Sequence, residues 1–205
     1  MPKTIAPSQT SASGFQQLDL FAATKKAGAR LLAFDLETQN SFDDVGGREN
    51  MAALKMSVGI TFDADKQRYE VYPEARAREL VDDLLDAELV VGFNVRRFDY
   101  RVLEPYAGGR DLSRIRTLDL LEKLEGVLGH RVKLDSCAEA TLGTKKSGHG
   151  LQAIEWFRQG QISKLIDYCK DDVKITFDLF EHGRKHRHIN ILDRSGSKRK
   201  VEVDW

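Results

Sequence analysis

The stretch LLAFDLET, residues Leu31–Thr38, predicts the fold of the chain. It begins as an apolar run of strand length, which is typical of a central strand covered on both faces. Two carboxylates, Asp35 and Glu37, follow at its carboxyl end. Because side chains two residues apart in a strand point to the same side, these like charges lie together at the edge of a core. They repel each other and lose solvation there, so a divalent cation is the simplest compensation. The alternative is a strand end that runs into solvent.

The composition indicates one folded domain with tails. Apolar residues make up 41% of the 205 residues, enough for a sizeable core, and 32 basic residues balance 32 acidic ones. Net charge therefore excludes no class of partner. The two cysteines, Cys137 and Cys169, form no spacing motif, and no apolar run approaches the length of a membrane span. We expect a cytoplasmic protein of the reducing cell interior, with no membrane partner.

Residues 1–29 are rich in Ser, Thr, Ala and Pro without sustained periodicity, which predicts a flexible N-terminal tail. One apolar island interrupts this tail and consists of Gln17, Leu18, Asp19, Leu20 and Phe21. Such an island either docks on the protein's own surface or enters a groove of another protein. It resembles the pentapeptide with which bacterial replication and repair proteins bind the sliding clamp, where a Gln, an apolar residue and a terminal Leu-Phe pair fill the clamp pocket. The resemblance implies a sliding clamp as a partner.

The pattern after Thr38 predicts an α/β fold with a mixed sheet. Two strands at 55–62 and 67–72 form an antiparallel start to the sheet together with the first strand. An amphipathic helix and a short buried strand follow, so helices pack against the sheet and later strands join it in parallel. The remaining predicted elements are the helix at 74–86, the strand at 89–93, a short strand at 116–118, and helices at 119–128, 134–142 and 151–158.

The longest predicted helix spans residues 161–183. Its buried stripe consists of Ile162, Leu165, Ile166, Cys169, Val173, Phe177 and Phe180. Tyr168 and Asp172 are four residues apart and share a face beside this stripe. Residues 185–205 are predicted to form a basic C-terminal hairpin extension, with its turn at 193–196. Such a hairpin either follows a phosphate backbone or is an ordinary charged surface.

Three motifs in this order resemble the DEDD superfamily of 3′–5′ exonucleases, which have a ribonuclease-H-like fold. The matching residues are Asp35, Glu37 and Thr38 for the Asp-x-Glu motif, Asn94, Phe98 and Asp99 for the second motif, and Tyr168 and Asp172 for the Tyr-x-x-x-Asp motif. The last motif is that of the tyrosine subclass, DEDDy. The resemblance spans residues 30–184, and the chain looks similar to bacterial nuclease domains that stand alone or accompany helicases. Taken alone, Asp99 is typical of a first-turn helix acid and Asp172 of a solvated helix acid.

The candidate site has a definite chemistry. Four carboxylates without a converging His or Cys offer only oxygen ligands, which favour Mg²⁺ or Mn²⁺ over Zn²⁺. Two such ions can activate a water, bind the scissile phosphate and stabilise the leaving 3′ oxygen. The resemblance implies that Asp35, Glu37, Asp99 and Asp172 hold the ions and that Tyr168 orients the water, whereas we expect Asp171 to be a solvated neighbour. Candidate substrate contacts are Thr38, Asn94, Phe98, Lys145 and Lys146, although the two lysines also fit a solvated loop.

The expected function is therefore a two-metal-ion 3′–5′ exonuclease acting on DNA, preferably single-stranded, in replication or repair. The tail peptide alone favours DNA over RNA and implies recruitment by the sliding clamp. Two alternatives stay open, an exoribonuclease and a non-catalytic module that binds nucleic acid or the clamp. The sequence leaves open the preferred substrate structure, the oligomeric state and a helicase partner.

Overall fold

The structure is a computed structural model that describes residues 30–144, 150–193 and 195–205. The tail with the clamp-binding-like peptide 17–21, and the loop lysines Lys145 and Lys146, lie outside the described residues. The strands are β1 (Leu31–Thr38), β2 (Met56–Asp63), β3 (Arg68–Pro73), β4 (Leu89–Gly92), β5 (Thr117–Asp119), β6 (His188–Leu192) and β7 (Lys198–Glu202). The α-helices are α1 (Ala77–Asp86), α2 (Asp99–Leu103), α3 (Leu120–Leu128), α4 (Leu134–Leu142), α5 (Gly150–Arg158) and α6 (Ile162–His186). Short 3-10 helices are at Arg48–Leu54, Glu74–Arg76, Glu104–Tyr106 and Leu112–Arg114.

The main sheet has five strands in the order β3-β2-β1-β4-β5. β1 and β3 pair with β2 in antiparallel fashion, whereas β4 pairs in parallel with both β1 and β5. The predicted mixed sheet, with three antiparallel strands followed by parallel ones, is therefore confirmed. The 3-10 helix at Arg48–Leu54 directly precedes β2.

β1 is the central strand and is buried on both faces. Its residues Leu32, Phe34 and Leu36 belong to one core cluster with α1 and α2. Ala33 belongs to another cluster with Leu165 and other residues of α6. Because side chains alternate along a strand, the carboxylates two and four residues after Ala33 face α6. The fold thus directs the end of β1 toward the long helix.

α6 runs three residues beyond its predicted end at Gly183 and stops before Arg187, which has a positive φ of 60°. Gly183 is buried inside the helix, and a β-carbon there would overlap the indole ring of Trp205. The glycine therefore makes room for a side chain instead of ending the helix. At the other end, Ile162 is 43% exposed, so its predicted place in the buried stripe is wrong. It occupies the first helical position, ahead of the first fully buried residue, Leu165.

β6 and β7 form the predicted C-terminal hairpin as a separate two-stranded sheet. The predicted boundary at residue 185 falls inside α6, and the inner face of the hairpin shares a core cluster with α3, α4 and α6. The outer edge of β6 is bound by two hydroxyl groups of α4. Ser136 Oγ accepts from Leu192 N and donates to its carbonyl, both at 2.9 Å. Thr141 Oγ1 does the same with Asn190, at 2.8 and 2.7 Å.

Within the part of the chain that the structure describes, none of the helices combines the length and the apolar character that crossing a membrane requires.

Candidate metal centre

The carboxyl end of β1 brings two acids against α6. Glu37 is buried, with 9% of its surface exposed, and Asp35 is half-buried. The thiol of Cys169 on α6 lies 3.7 Å from Asp35 Oδ2. Ligand atoms of Asp35, Glu37 and Cys169 lie within 4.8 Å of one another. This is the arrangement that the two-residue spacing in β1 predicts, with a helix covering the carboxylates.

Asp99 is held at the same strand end by a hydrogen bond from β1. It begins α2 and is only 2% exposed. Its Oδ1 accepts a hydrogen bond from the backbone N–H of Leu36 at 3.1 Å. Because Leu36 lies between Asp35 and Glu37, this bond fixes the third carboxylate at the same strand end.

α6 supplies the fourth carboxylate. Tyr168 and Asp172 are 3% and 4% exposed, whereas Asp171 is exposed to solvent. The pKa of the Cys169 thiol is raised well above its usual value, first by burial and then by the charges of nearby carboxylates. Those carboxylates are Asp35, Glu37, Asp172 and Asp99. One buried thiol therefore lies within electrostatic reach of all four predicted acids, which come from β1, α2 and α6.

Burial raises the pKa of Asp99 to about 7. The backbone N–H groups of Asp99 itself and of Leu36 act in the opposite direction, and the negative charge of Asp119 raises the pKa further. Asp99 therefore gives up its proton less readily than an ordinary aspartate. A bound cation would favour the ionised form.

Asp119 is a buried acid outside the three sequence motifs. It is 2% exposed, and its carboxylate accepts from the backbone N–H groups of Asn94 at 2.8 Å and Arg96 at 3.1 Å. The same carboxylate caps α3 by accepting from Leu121 N at 3.0 Å. It thus ties the loop that leads to Asp99 to the start of α3. The sequence carries a signal for this role, because an Asp directly before a helix is a common N-cap.

The candidate substrate contacts have protein partners of their own. Thr38 Oγ1 donates to the carbonyl of Asn40 at 2.9 Å. The side-chain oxygen of Asn94 accepts from Arg131 at 2.6 Å, and Asn94 has a positive φ of 71°. The ring of Phe98 packs edge-on against Phe42, with 6.0 Å between centroids. The roles of these residues in substrate binding stay predictions.

Two further residues near the centre carry no sequence signal. The ring of Trp156 on α5 packs edge-on against Tyr168, with 5.7 Å between centroids. Cys169 lies among the carboxylates only because α6 turns this face toward β1. Both contacts arise from tertiary packing between segments that no local pattern connects.

The donor set fits a hard divalent cation. Carboxylate oxygens are the ligands that Mg²⁺ and Mn²⁺ prefer. The expectation that no Cys converges on the acids is wrong, because Cys169 lies beside Asp35 and Glu37. In the metal-free protein burial and the nearby carboxylates raise the pKa of this thiol, which favours its neutral form. A bound cation would stabilise this group of carboxylates, because without it their negative charges repel one another in a buried place.

The family model described as RNase_H superfamily (RNase_H_2) matches residues 32–183, which is most of the described structure, from β1 to the end of α6. A comparison with curated proteins found no match.

Proposed function

The chain belongs to the RNase H superfamily, and on that premise we propose that it is a metal-dependent 3′–5′ exonuclease of the DEDDy type. Membership indicates a nuclease with an RNase H-like fold and nucleic acid as its partner. The observation that carries the finer proposal is the grouping of four carboxylates around the Cys169 thiol, together with Tyr168 one helical turn from Asp172.

In this proposal Asp35, Glu37, Asp99 and Asp172 hold Mg²⁺ or Mn²⁺. Two such ions, when bound, supply the Lewis acidity that activates a water and offsets negative charge on the leaving 3′ oxygen. The protein's contribution is rigid placement, because three of the four acids are buried and held by β1, α2 and α6. Tyr168 orients the attacking water through its hydroxyl group, and the packing of Trp156 limits the motion of its ring.

A direct test uses 5′-labelled single-stranded DNA and RNA of matched sequence, each with Mg²⁺, Mn²⁺ or EDTA. We expect a metal-dependent ladder that shortens from the 3′ end, with DNA degraded faster. Faster degradation of RNA would select the exoribonuclease alternative, and internal cuts would contradict an exonuclease. Absence of degradation would favour a non-catalytic module that binds nucleic acid or the clamp.

α6 offers a matched pair of variants for the same assay. Asp172→Asn removes a buried charge from the centre, whereas Asp171→Asn changes the adjacent, exposed acid. We expect Asp172→Asn to lower the cleavage rate by at least about a hundredfold, the usual scale for losing a charge that stabilises the transition state. Asp171→Asn should cleave within about twofold of the wild type. Equal losses in both variants would place the metal ligand elsewhere.

In this proposal the substrate is DNA, and the enzyme acts in replication or repair in the cytoplasm. The choice of DNA rests on the tail peptide 17–21, which resembles the sliding-clamp motif. Replacing Leu20 and Phe21 by Ala should abolish binding to a bacterial sliding clamp, measured by surface plasmon resonance. Cleavage of free oligonucleotides should be unchanged. Undiminished clamp binding by this double variant would remove the argument for recruitment. A helicase partner is left open.

A further inference from the structure

A cluster of basic side chains lies where α6 ends and the hairpin begins. His182 and His186 on α6 have ring centroids 4.5 Å apart, and His188 on β6 lies 5.6 Å from the first and 6.3 Å from the second. Lys185 of α6 and Lys198 of β7 act electrostatically on His182. We call these five residues the histidine–lysine cluster. Its groups come from the C-terminal part of α6, from β6 and from β7. Along α6 they lie far from the carboxylates.

Hydrogen bonding and burial distinguish the ring nitrogens of two of these histidines. His188 Nδ1 lies 2.9 Å from the carbonyl oxygen of His186. Because a carbonyl can only accept, this Nδ1 carries hydrogen and Nε2 is the nitrogen that takes up a proton. The Nε2 atom of His182 is buried and has no hydrogen-bond partner among the described residues. The pKa of His182 is lowered, first by burial and then by the neighbouring His186, His188 and both lysines.

Charged residues of both signs lie on the elements that form the cluster. Lys198 and Lys200 are exposed and project from the same face of β7. The acid on that face is Glu202, which lies opposite His188 in the strand register. On α6, Glu181 is bound by Arg184 at 2.8 Å. A metal cation would meet repulsion from the lysines here, whereas an anion would be attracted.

We propose that the histidine–lysine cluster and Lys200 bind phosphates of the nucleic-acid substrate, and that this binding strengthens as the pH falls. The proposal rests on the proposed function in so far as the ligand is a nucleic-acid strand. Asp172 and His186 are 14 residues apart on α6, which corresponds to about 21 Å. The surface is therefore a second contact for the strand, separate from the carboxylate centre.

The pH dependence follows from charge. Each imidazole that is protonated adds a positive charge, and a nearby phosphate favours the protonated form. Binding is thus linked to proton uptake, and affinity rises as the pH falls from about 8 to about 6, around the usual histidine pKa of about 6.5. Burial and the neighbouring positive charges lower the pKa of His182 in the free protein, so its protonation requires a lower pH than that of an ordinary histidine.

The test measures fluorescence anisotropy of labelled single-stranded DNA in EDTA, so that cleavage plays no part. The variant Lys198→Gln/Lys200→Gln is compared with Arg68→Gln/Arg114→Gln, which neutralises two exposed cations at other places on the surface. We expect the lysine variant to bind roughly three- to tenfold more weakly. The slope of log affinity against log salt should also fall by about 1.4, because each phosphate that a lysine no longer neutralises lowers it by about 0.7. The arginine control should match the wild type.

A second arm tests the histidines. The wild type should bind severalfold more tightly at pH 6 than at pH 8, and His186→Gln/His188→Gln should lose most of this gain while keeping its affinity at pH 8. An unchanged pH response, or equal losses in the lysine and arginine variants, overturns the inference.

Cleavage measured separately in Mg²⁺ distinguishes this proposal from the exonuclease proposal. The lysine variant should raise KM and leave kcat unchanged, because it does not touch the carboxylates. If the wild type degrades no substrate yet shows the predicted binding differences, the surface stands and the exonuclease proposal fails. If it degrades DNA and the lysine variant binds like the control, the surface is wrong and the exonuclease stands.

Discussion

Within the candidate centre, Asp99 is distinguished by its raised pKa. It combines burial, hydrogen bonds from the backbone N–H groups of Leu36 in β1 and of Asp99 itself, and the charge of a second buried acid, Asp119. Its pKa of about 7 means that the metal-free protein holds a proton here that an ordinary aspartate releases near pH 4. A metal must displace that proton, so we expect metal affinity to decrease below neutral pH.

The same pKa predicts how the stability of the metal-free protein depends on pH. The folded pKa, about 7, lies above the usual value of 3.8, so between these values the folded chain binds more protons than the unfolded chain. The free energy of unfolding in EDTA should therefore fall as the pH rises from about 4 to about 7. Urea denaturation of the wild type and of Asp99→Asn checks this, because the uncharged variant should lose a large part of the decrease. An identical pH profile in both proteins would contradict it.

Single residues of the centre differ in how far the sequence predicts them. The grouping of the acids follows from their spacing and from the element in which each lies. Asp172 could be separated from Asp171 because the apolar stripe of α6 fixes which one is buried. Cys169 and Trp156 could not be assigned to the site, since the first contact depends on how α6 packs against β1 and the second on how α5 packs against α6.

At the scale of elements, α6 has one end beside the carboxylates and the other beneath the hairpin. Gly183 within α6 makes room for Trp205, whose indole N–H donates to the carbonyl of Phe180 at 3.2 Å. A glycine near the end of an apolar stripe usually predicts a helix terminus. The sequence alone could not show that α6 continues through Gly183, because Trp205, the side chain that requires this glycine, follows only after β6 and β7.

This packing predicts opposite effects of the same substitution in two helices. Gly183→Ala should destabilise the protein by about 1–3 kcal/mol, because the added methyl group overlaps Trp205. Gly126→Ala in α3 meets nothing within 4 Å and should stabilise by about 0.5–1 kcal/mol, the ordinary gain for this change in a helix. Chemical denaturation measures both. In a Trp205→Ala background, Gly183→Ala should become stabilising, and persistent destabilisation there would refute the explanation.

At the scale of the whole molecule, metal binding and folding are linked, because the carboxylates come from β1, α2 and α6 and converge only in the folded chain. The sheet could be predicted because the apolar residues recur with the period of each strand and helix, and because turn residues separate these elements. The core that the hairpin shares with α3, α4 and α6 could not be predicted, because it joins segments without a common local pattern.

This linkage predicts a thermal shift. Millimolar Mg²⁺ or Mn²⁺ should raise the Tm of the wild type, with a stabilisation of about 2.7 kcal/mol when the metal is at a hundred times its Kd. Asp35→Ala should abolish the shift, and in EDTA it should be at least as stable as the wild type because it relieves repulsion between carboxylates. Differential scanning fluorimetry with Asp171→Asn as the control measures both effects. A flat response of the wild type would argue against the metal centre.

The two hydroxyl groups of α4 that bind β6 have a consequence for solubility. An open strand edge is a template on which another copy of a chain can add a strand and begin to aggregate. Ser136 and Thr141 occupy the hydrogen-bonding groups of β6 at Leu192 and Asn190, so a foreign strand cannot pair there. On the opposite side, β7 exposes three consecutive cationic residues, 198–200, which repel the same strand of another molecule. The hydroxyl groups at the edge of β6 and the positive charges on β7 therefore both oppose pairing of the hairpin with another copy of the chain.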